Sequence, residues 1–168
     1  LDEVRSLHNI GSVFPTSDYE KLFAHARAEG IPFTIHAGEA AGPESIRQAV
    51  DYGTARIGHG VNCIHDKNLM NIIAEKGITL ELCPTSNLNT KIVNDIKDYP
   101  IDKIINNKIK VTINTDNMTV SGTDEASEMK LICDTFGYDG NMRRIFVDNA
   151  IDAAFLSNEM KEKLRGNL

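Results

Sequence analysis

The sequence has 168 residues, of which 41% are hydrophobic and 25% are charged, and its formal net charge at pH 7 is -6. This composition is typical of a folded domain and excludes a disordered, collagen-like or coiled-coil chain. No apolar stretch approaches the ~18 residues that a membrane-spanning helix needs. The excess of acidic side chains disfavours nucleic-acid binding, because it would repel the phosphates.

The three cysteines, Cys63, Cys83 and Cys133, are far apart and form no Cys-x-x-Cys pair. An odd number of separated cysteines disfavours a disulfide framework and a structural zinc knuckle, and it favours a reducing, cytoplasmic compartment. The first ten residues include charged side chains, so they are not a secretory signal. Because the chain does not begin with Met, we expect a fragment or a processed form.

Short apolar runs alternate with amphipathic stretches along the chain, an order typical of βαβ units and a parallel sheet. Strands are predicted at residues 33–35, 55–57, 78–83 and 110–114. Helices are predicted at residues 19–29, 43–52, 69–76, 101–107, 125–136 and 141–156. Residues 1–14 carry no readable pattern. No linker or low-complexity stretch divides the chain.

Each predicted strand is followed by polar residues: HAGE at 36–39, GHG at 58–60, CPTSN at 83–87 and NTDN at 114–117. The carboxyl ends of parallel strands meet at one face, which carries the active site in such folds. Two histidines, a glutamate and an aspartate at one place indicate a metal site with acid–base groups.

Each of these residues also has an ordinary structural interpretation. A single strand-end histidine is usually hydrogen-bonded, and Glu39 could favour a helix start. Asp116 and Asn117 suit a turn, residues 85–87 suit a helix cap, and Cys83 suits a buried packing position. Only their joint occurrence at four strand ends favours the functional interpretation. His25 and His65 are predicted to be surface residues.

The four motifs together resemble the adenosine deaminase family. They read TIHAGEAAGPES at 34–45, RIGHG at 56–60, LCPTSN at 82–87 and VTINTD at 111–116, and the tail AAFL at 153–156 is similar to that family's last helix. The resemblance implies an α/β fold that forms the C-terminal half of a (β/α)8 TIM barrel, with strands five to eight and their helices. Residues 1–168 would then be one partial deaminase domain. The family's metal-binding His-x-His pair does not occur in the sequence.

The resemblance also implies the roles of six residues. His36 and Asp116 would bind one Zn2+, which activates water. Glu39 would carry the proton to the purine ring, and His59 would hold or deprotonate the metal-bound water. Substrate contacts would come from Gly38, through its backbone, and from Asn117. The reaction implied is the deamination of adenosine or deoxyadenosine to the inosine form in purine salvage.

The expected partner is a small nucleoside, with no nucleic acid and no membrane, and the isolated chain is expected to be inactive. A half barrel is also expected to self-associate through its exposed edges. Glycine at position 58 favours the nucleoside over free adenine as the substrate. In the wider family that the sequence resembles, adenine deaminases typically have Asp at this position. Two alternatives stay open: a non-catalytic half-barrel fragment, or a related metal-dependent deaminase of another heterocycle.

Overall fold

A four-stranded parallel sheet organises the chain. The computed structural model describes residues 16–167. The strands are β1 (Thr34–Ala37), β2 (Arg56–His59), β3 (Thr79–Leu82) and β4 (Val111–Ile113), and they lie side by side in chain order. Each strand therefore pairs with the next one along the chain, as in a barrel built from successive βα units.

Helices connect the strands and cover one face of the sheet. They are α1 (Glu20–Ala28), α2 (Pro43–Asp51), α3 (Lys67–Lys76), α4 (Pro84–Asn89), α5 (Ile101–Asn106), α6 (Met118–Ser121), α7 (Glu125–Phe136), α8 (Gly140–Ala153) and α9 (Asn158–Arg165). Short 3-10 helices span Thr16–Tyr19, Val61–His65 and Ile96–Asp98. Among the described helices, none combines the length and apolar character that crossing a membrane requires.

The core lies between the sheet and these helices. One row of directly paired residues, Ile35, Ile57, Leu80 and Val111, is buried on every strand. Fully buried side chains of α2, α3 and α5 complete the same apolar cluster: Ile46, Ala49, Leu69, Ile73, Ile101 and Ile104. Burial of a large aliphatic side chain contributes roughly 1.5–3 kcal/mol, so this row holds the four strands in one register.

The alternate residues of the strands are polar. Thr34 donates a hydrogen bond to Glu81 across 2.6 Å, and the Arg56 Nε atom lies 3.0 Å from the second Glu81 carboxylate oxygen. Successive side chains of a strand point to opposite faces. The sheet is therefore apolar toward its helices and polar on the face that a closed barrel would turn inward.

The sequence located all four strands to within one or two residues, and α7 has the predicted bounds. His25 and His65 are exposed, as predicted, whereas residues 1–14 and His8 lie outside the described residues. Three short helices, α4, α6 and α9, were not predicted as separate elements.

The predicted helix over 141–156 is wrong at its end. The helix α8 stops at Ala153, and Ala154 is extended with ψ 140°. The reason is local: Ser157 caps the next helix by accepting a hydrogen bond from the Met160 amide, and its own backbone is extended, as the N-cap position requires. Phe155 is 42% exposed in this break.

Gly38 meets a steric limit that only glycine satisfies. Its φ is +68°, and a Cβ atom there would lie 2.2 Å from Ile46 Cδ1. Its amide donates to the Ser45 hydroxyl over 2.9 Å. The turn after β1 therefore packs directly on the core side chain of α2.

We expect Gly38→Ala to lower the free energy of unfolding by about 2–4 kcal/mol, from left-handed backbone strain and overpacking together. Gly30→Ala is the matched control, because Gly30 has a φ of +67° with no atom within 4 Å of the added Cβ, and it should lose only about 1–2 kcal/mol. Urea unfolding of both variants measures the difference. Equal losses would show that the Ile46 overlap is not what restricts position 38.

Candidate active site

His36 lies near the end of β1, on the polar face of the sheet. Its side chain is exposed. The imidazole occupies the space above Gly58, where an added Cβ would come within 2.4 Å of His36 Cδ2. The rings of His36 and His59 meet edge to face, with centroids 5.1 Å apart. The structure thus brings the first two predicted histidines together.

His59 is the last residue of β2 and is almost completely buried, at 1% exposure. Its backbone is left-handed, with φ 62°, a conformation uncommon for residues other than glycine. The turn aims Nε2 at a Glu39 carboxylate oxygen 3.4 Å away and Nδ1 at the Asn87 amide nitrogen 3.1 Å away. Both ring nitrogens are therefore in contact with other polar side chains.

Burial lowers the pKa of His59 to about 4, and the neighbouring His36 acts in the same direction. The Asp116 and Glu81 carboxylates oppose this shift but do not cancel it. At neutral pH His59 is therefore a neutral imidazole. Its contact with Glu39 is a contact between a neutral ring and a carboxyl group rather than an ion pair.

Glu39 lies in the turn that follows β1, and its side chain is 24% exposed. The turn is tied by the Asn62 amide, which donates to the backbone oxygens of Glu39 at 3.1 Å and Ala41 at 3.3 Å. Asn62 was not singled out in the sequence, because an asparagine in a loop carries no recognisable signal. Together these contacts hold Glu39 between the buried His59 and the open face.

Asp116 follows β4 and also has a left-handed backbone, with φ 58°. Its side chain is exposed and accepts a hydrogen bond of 2.7 Å from the Ser86 hydroxyl. Asn117 is exposed and caps α6, accepting a 3.0 Å hydrogen bond from the Val120 amide. The contacts of Asn117 are those of a helix cap, whereas its ordinary interpretation from the sequence was a turn, and its substrate role stays a prediction.

The short helix α4 supports several of these residues, and sequence reasoning missed it. Ser86 reaches Asp116, Asn87 reaches His59, and the Thr85 amide donates to the buried Glu128 carboxylate over 3.0 Å. Residues 85–87 belong to the LCPTSN motif, and their ordinary structural interpretation was a helix cap. The signal was Pro84, which suits the first turn of a helix as well as the end of a strand.

Cys83 precedes this helix and is buried. Burial raises the pKa of its thiol far above the usual value, and nearby carboxylates, led by that of Asp116, act in the same direction. A thiol in this environment stays protonated and inert. The contacts therefore agree with a packing role for Cys83.

The side chains at the strand ends are of the types that bind metal ions, but there are too few of them for a complete site. His36 and Asp116 offer an exposed imidazole and an exposed, oriented carboxylate, which are ordinary zinc ligands. Within residues 16–167, however, no group of three or more His, Cys, Asp or Glu residues could hold a metal ion. Catalytic zinc usually takes three protein ligands, so these residues fit one part of a metal shell and do not complete it.

Comparisons with known proteins identify the same features. The adenosine deaminase family model matches residues 8–168. An adenosine deaminase of Haemophilus ducreyi is 43% identical over 156 residues, covering 93% of this chain and 45% of that protein. Adenine deaminase of Arthrobacter aurescens has a TM-score of 0.85 at 24% identity, covering 89% of this chain and 46% of that one. An amidohydrolase of Burkholderia ambifaria, solved with bound Zn, has a TM-score of 0.82 at 23% identity, covering 98% and 51%.

The parallel sheet and its overlap with half of these larger structures place the chain in the class of α/β barrel-type folds, which confirms the predicted α/β half-barrel fold. The match over residues 8–168 goes further: the chain belongs to the adenosine deaminase family. Its relatives of that name are hydrolases, as the resemblance implied. The chain spans about half the length of the relatives it matches.

Proposed function

We propose that this chain forms part of a zinc-dependent enzyme of purine salvage. The enzyme would remove the amine of adenosine and deoxyadenosine by hydrolysis, which gives inosine and deoxyinosine. The observation that carries the proposal is the 3.4 Å contact between Glu39 and His59, with the His36 ring against His59. The neutral His59 imidazole therefore contacts both the Glu39 carboxyl group and the exposed His36 imidazole. Family membership supports deamination as the reaction that uses them.

In this proposal His36 and Asp116 would hold one zinc ion, together with ligands from outside the described residues. The Ser86 hydrogen bond orients the Asp116 carboxylate for that role. The bound zinc of the Burkholderia ambifaria amidohydrolase supports the choice of metal. When bound, zinc would supply a water of lowered pKa and thus a nucleophile at neutral pH.

The chain's own residues would handle the protons. Glu39 would protonate the purine ring nitrogen next to the carbon that loses its amine, and its half-buried turn holds the carboxyl group at that point. His59 would orient the attacking water and stabilise the charge that develops on oxygen. Gly38 would let the backbone approach the base, and the Asn117 amide would contact the imidazole side of the purine.

The choice of nucleoside over free adenine rests on Gly58. With no side chain at this position, the His36 ring packs directly on the strand. Adenine deaminases of the wider family typically have Asp at this position. An aspartate here would force the His36 ring to move. Parallel assays of adenosine, deoxyadenosine and adenine decide between these substrates. Preference for adenine, or for another heterocycle, would favour the related-deaminase alternative.

We also propose a cytoplasmic location, with small nucleosides as the partners and without binding to nucleic acid or membranes. The cysteines support a reducing compartment, because Cys63, Cys83 and Cys133 are all buried and unpaired. The net charge of -6 supports the exclusion of nucleic acid.

Glu39→Gln in the zinc-loaded enzyme should lower kcat by at least ~100-fold, because the amide cannot transfer the proton. Zinc content and nucleoside binding should be retained. Glu44→Gln, at an exposed position in the first turn of α2, is the matched control and should leave kcat unchanged. Steady-state kinetics with adenosine measure the effect, and near-normal turnover would remove Glu39 from the mechanism.

Asp116→Ala should lose both zinc affinity and activity, because a methyl group cannot replace a ligating carboxylate. Asp134→Ala is the control, since Asp134 is exposed and pairs only along its own helix with Lys130. Zinc titration of the purified variants, by metal analysis after dialysis, gives the answer. A full equivalent of zinc held by Asp116→Ala at wild-type affinity would show that Asp116 is no ligand.

The 168-residue chain on its own should show negligible adenosine turnover, even with added zinc, since its described part offers only two metal donors. It should also self-associate, because β1 and β4 each pair with a single strand in the described sheet. Size-exclusion chromatography with light scattering, combined with an adenosine absorbance assay, tests both points. Robust turnover by a monodisperse monomer would contradict both predictions. If the longer protein is inactive and also binds no zinc, the result would support the non-catalytic alternative.

A further inference from the structure

A buried chain of hydrogen bonds reaches His59 from the side opposite Glu39. The Tyr99 hydroxyl donates to the Asn87 side-chain oxygen over 2.9 Å, and the Asn87 amide nitrogen lies 3.1 Å from His59 Nδ1. Tyr99, Asn87 and His59 are 2%, 0% and 1% exposed. Since water has almost no access to these groups, each one must find its hydrogen-bond partner within the protein.

The contacts fix the direction of every bond in the chain. A protonated phenol donates one hydrogen bond, and burial raises the pKa of Tyr99 well above its usual value, so it stays protonated. The Asn87 side-chain oxygen accepts this hydrogen bond, and its NH2 group is turned toward His59. The NH2 group can only donate, so Nδ1 of His59 is the unprotonated, accepting nitrogen.

We propose that Asn87, itself held by Tyr99, is a positioning residue that fixes His59 in the tautomer with its ring proton on Nε2. The proton then points at the Glu39 carboxylate oxygen 3.4 Å away. With the amide turned the other way and Glu39 ionised, a bare Nε2 would face a carboxylate oxygen, and two acceptors would repel each other. The consequence for catalysis rests on the proposed function, whereas the tautomer itself does not.

Position and tautomer are set by the same element. Asn87 lies in α4, whose Thr85 amide is fixed by the fully buried Glu128. The next residue in α4, Ser86, holds Asp116. One short helix therefore aligns the group next to Glu39 and the carboxylate proposed to bind the metal, and Asn87 is the part of it that acts on His59.

Three variants separate tautomer control from packing. Asn87→Leu keeps the approximate volume and removes both hydrogen bonds. Asn87→Asp keeps the shape but replaces the donor by an acceptor, which requires a proton on Nδ1 of His59. Tyr99→Phe removes only the hydroxyl, and Asn89→Leu, an exposed position in the same helix, is the matched control.

The kinetic test uses the complete, zinc-loaded enzyme. Its kcat should fall by about 10–100-fold in Asn87→Leu and in Asn87→Asp, which is the usual effect of losing a residue that orients a site group. KM and zinc content should stay close to the wild-type values, because Asn87 is fully buried and is neither a proposed zinc ligand nor a proposed substrate contact. Tyr99→Phe should lose less, and Asn89→Leu nothing. If Asn87→Leu fails to fold, Asn87→Asp and Tyr99→Phe carry the test.

Nitrogen NMR of 15N-histidine-labelled protein at pH 7 reads the tautomer directly, with His59 assigned by comparison with His59→Gln. The wild type should show the proton on Nε2, and Asn87→Asp should move it to Nδ1 or give the doubly protonated ring. A proton on Nδ1 in the wild type would overturn the proposal, as would an unchanged tautomer and kcat in both Asn87 variants. If the complete, zinc-loaded enzyme fails to deaminate adenosine while His59 carries its proton on Nε2, the proposed function fails and the tautomer assignment stands.

Discussion

The structure depends on the parallel register that aligns Ile35, Ile57, Leu80 and Val111 in one buried row. Because side chains alternate along each strand, fixing this apolar row also fixes where the polar residues of the opposite face lie. A slip of one residue in any strand would turn its polar side chains into the core. The chemistry at the strand ends is thus positioned by hydrophobic packing that contains no catalytic group.

The register alone does not aim the side chains, and two strained residues supply the remaining rotation. His59 and Asp116 leave their strands with φ values of 62° and 58°, each at a cost of order 1–3 kcal/mol. Both are held by side chains from α4, His59 through Asn87 and Asp116 through Ser86. Strain at a strand end and support from one helix are therefore parts of the same arrangement.

The sequence predicted the parts of this arrangement that produce periodic patterns or recognisable motifs. The strands followed from short apolar runs, and His36, Glu39, His59 and Asp116 followed from their positions after those runs. Asn87 was visible only as a member of the CPTSN motif. Its contact with His59 depends on a six-residue helix, which is too short to produce a helical pattern.

Other features were out of reach because they arise from long-range contacts. Tyr99 is twelve residues from Asn87, in a segment without a motif, and nothing local indicates that its hydroxyl is buried. Glu128 was predicted as an ordinary residue of α7, yet it is fully buried and bonds to Thr85, 43 residues away. The end of α8 depended on competition between two helices for residues 154–157, which only cap geometry resolves.

The polar face of the sheet is divided along the strands into a structural part and a chemical part. Arg56, the first residue of β2, pairs with Glu81, stacks 3.9 Å from the Phe155 ring centroid and donates to the Ala153 carbonyl. These contacts neutralise Glu81 and attach the segment after α8 to the base of the sheet. At the other end, the His36 and His59 rings contact each other, and His59 also contacts Glu39 and Asn87. Arg56 lies three residues before His59 on β2 and is paired with Glu81, so its charge is compensated before the strand end where Glu39 contacts His59.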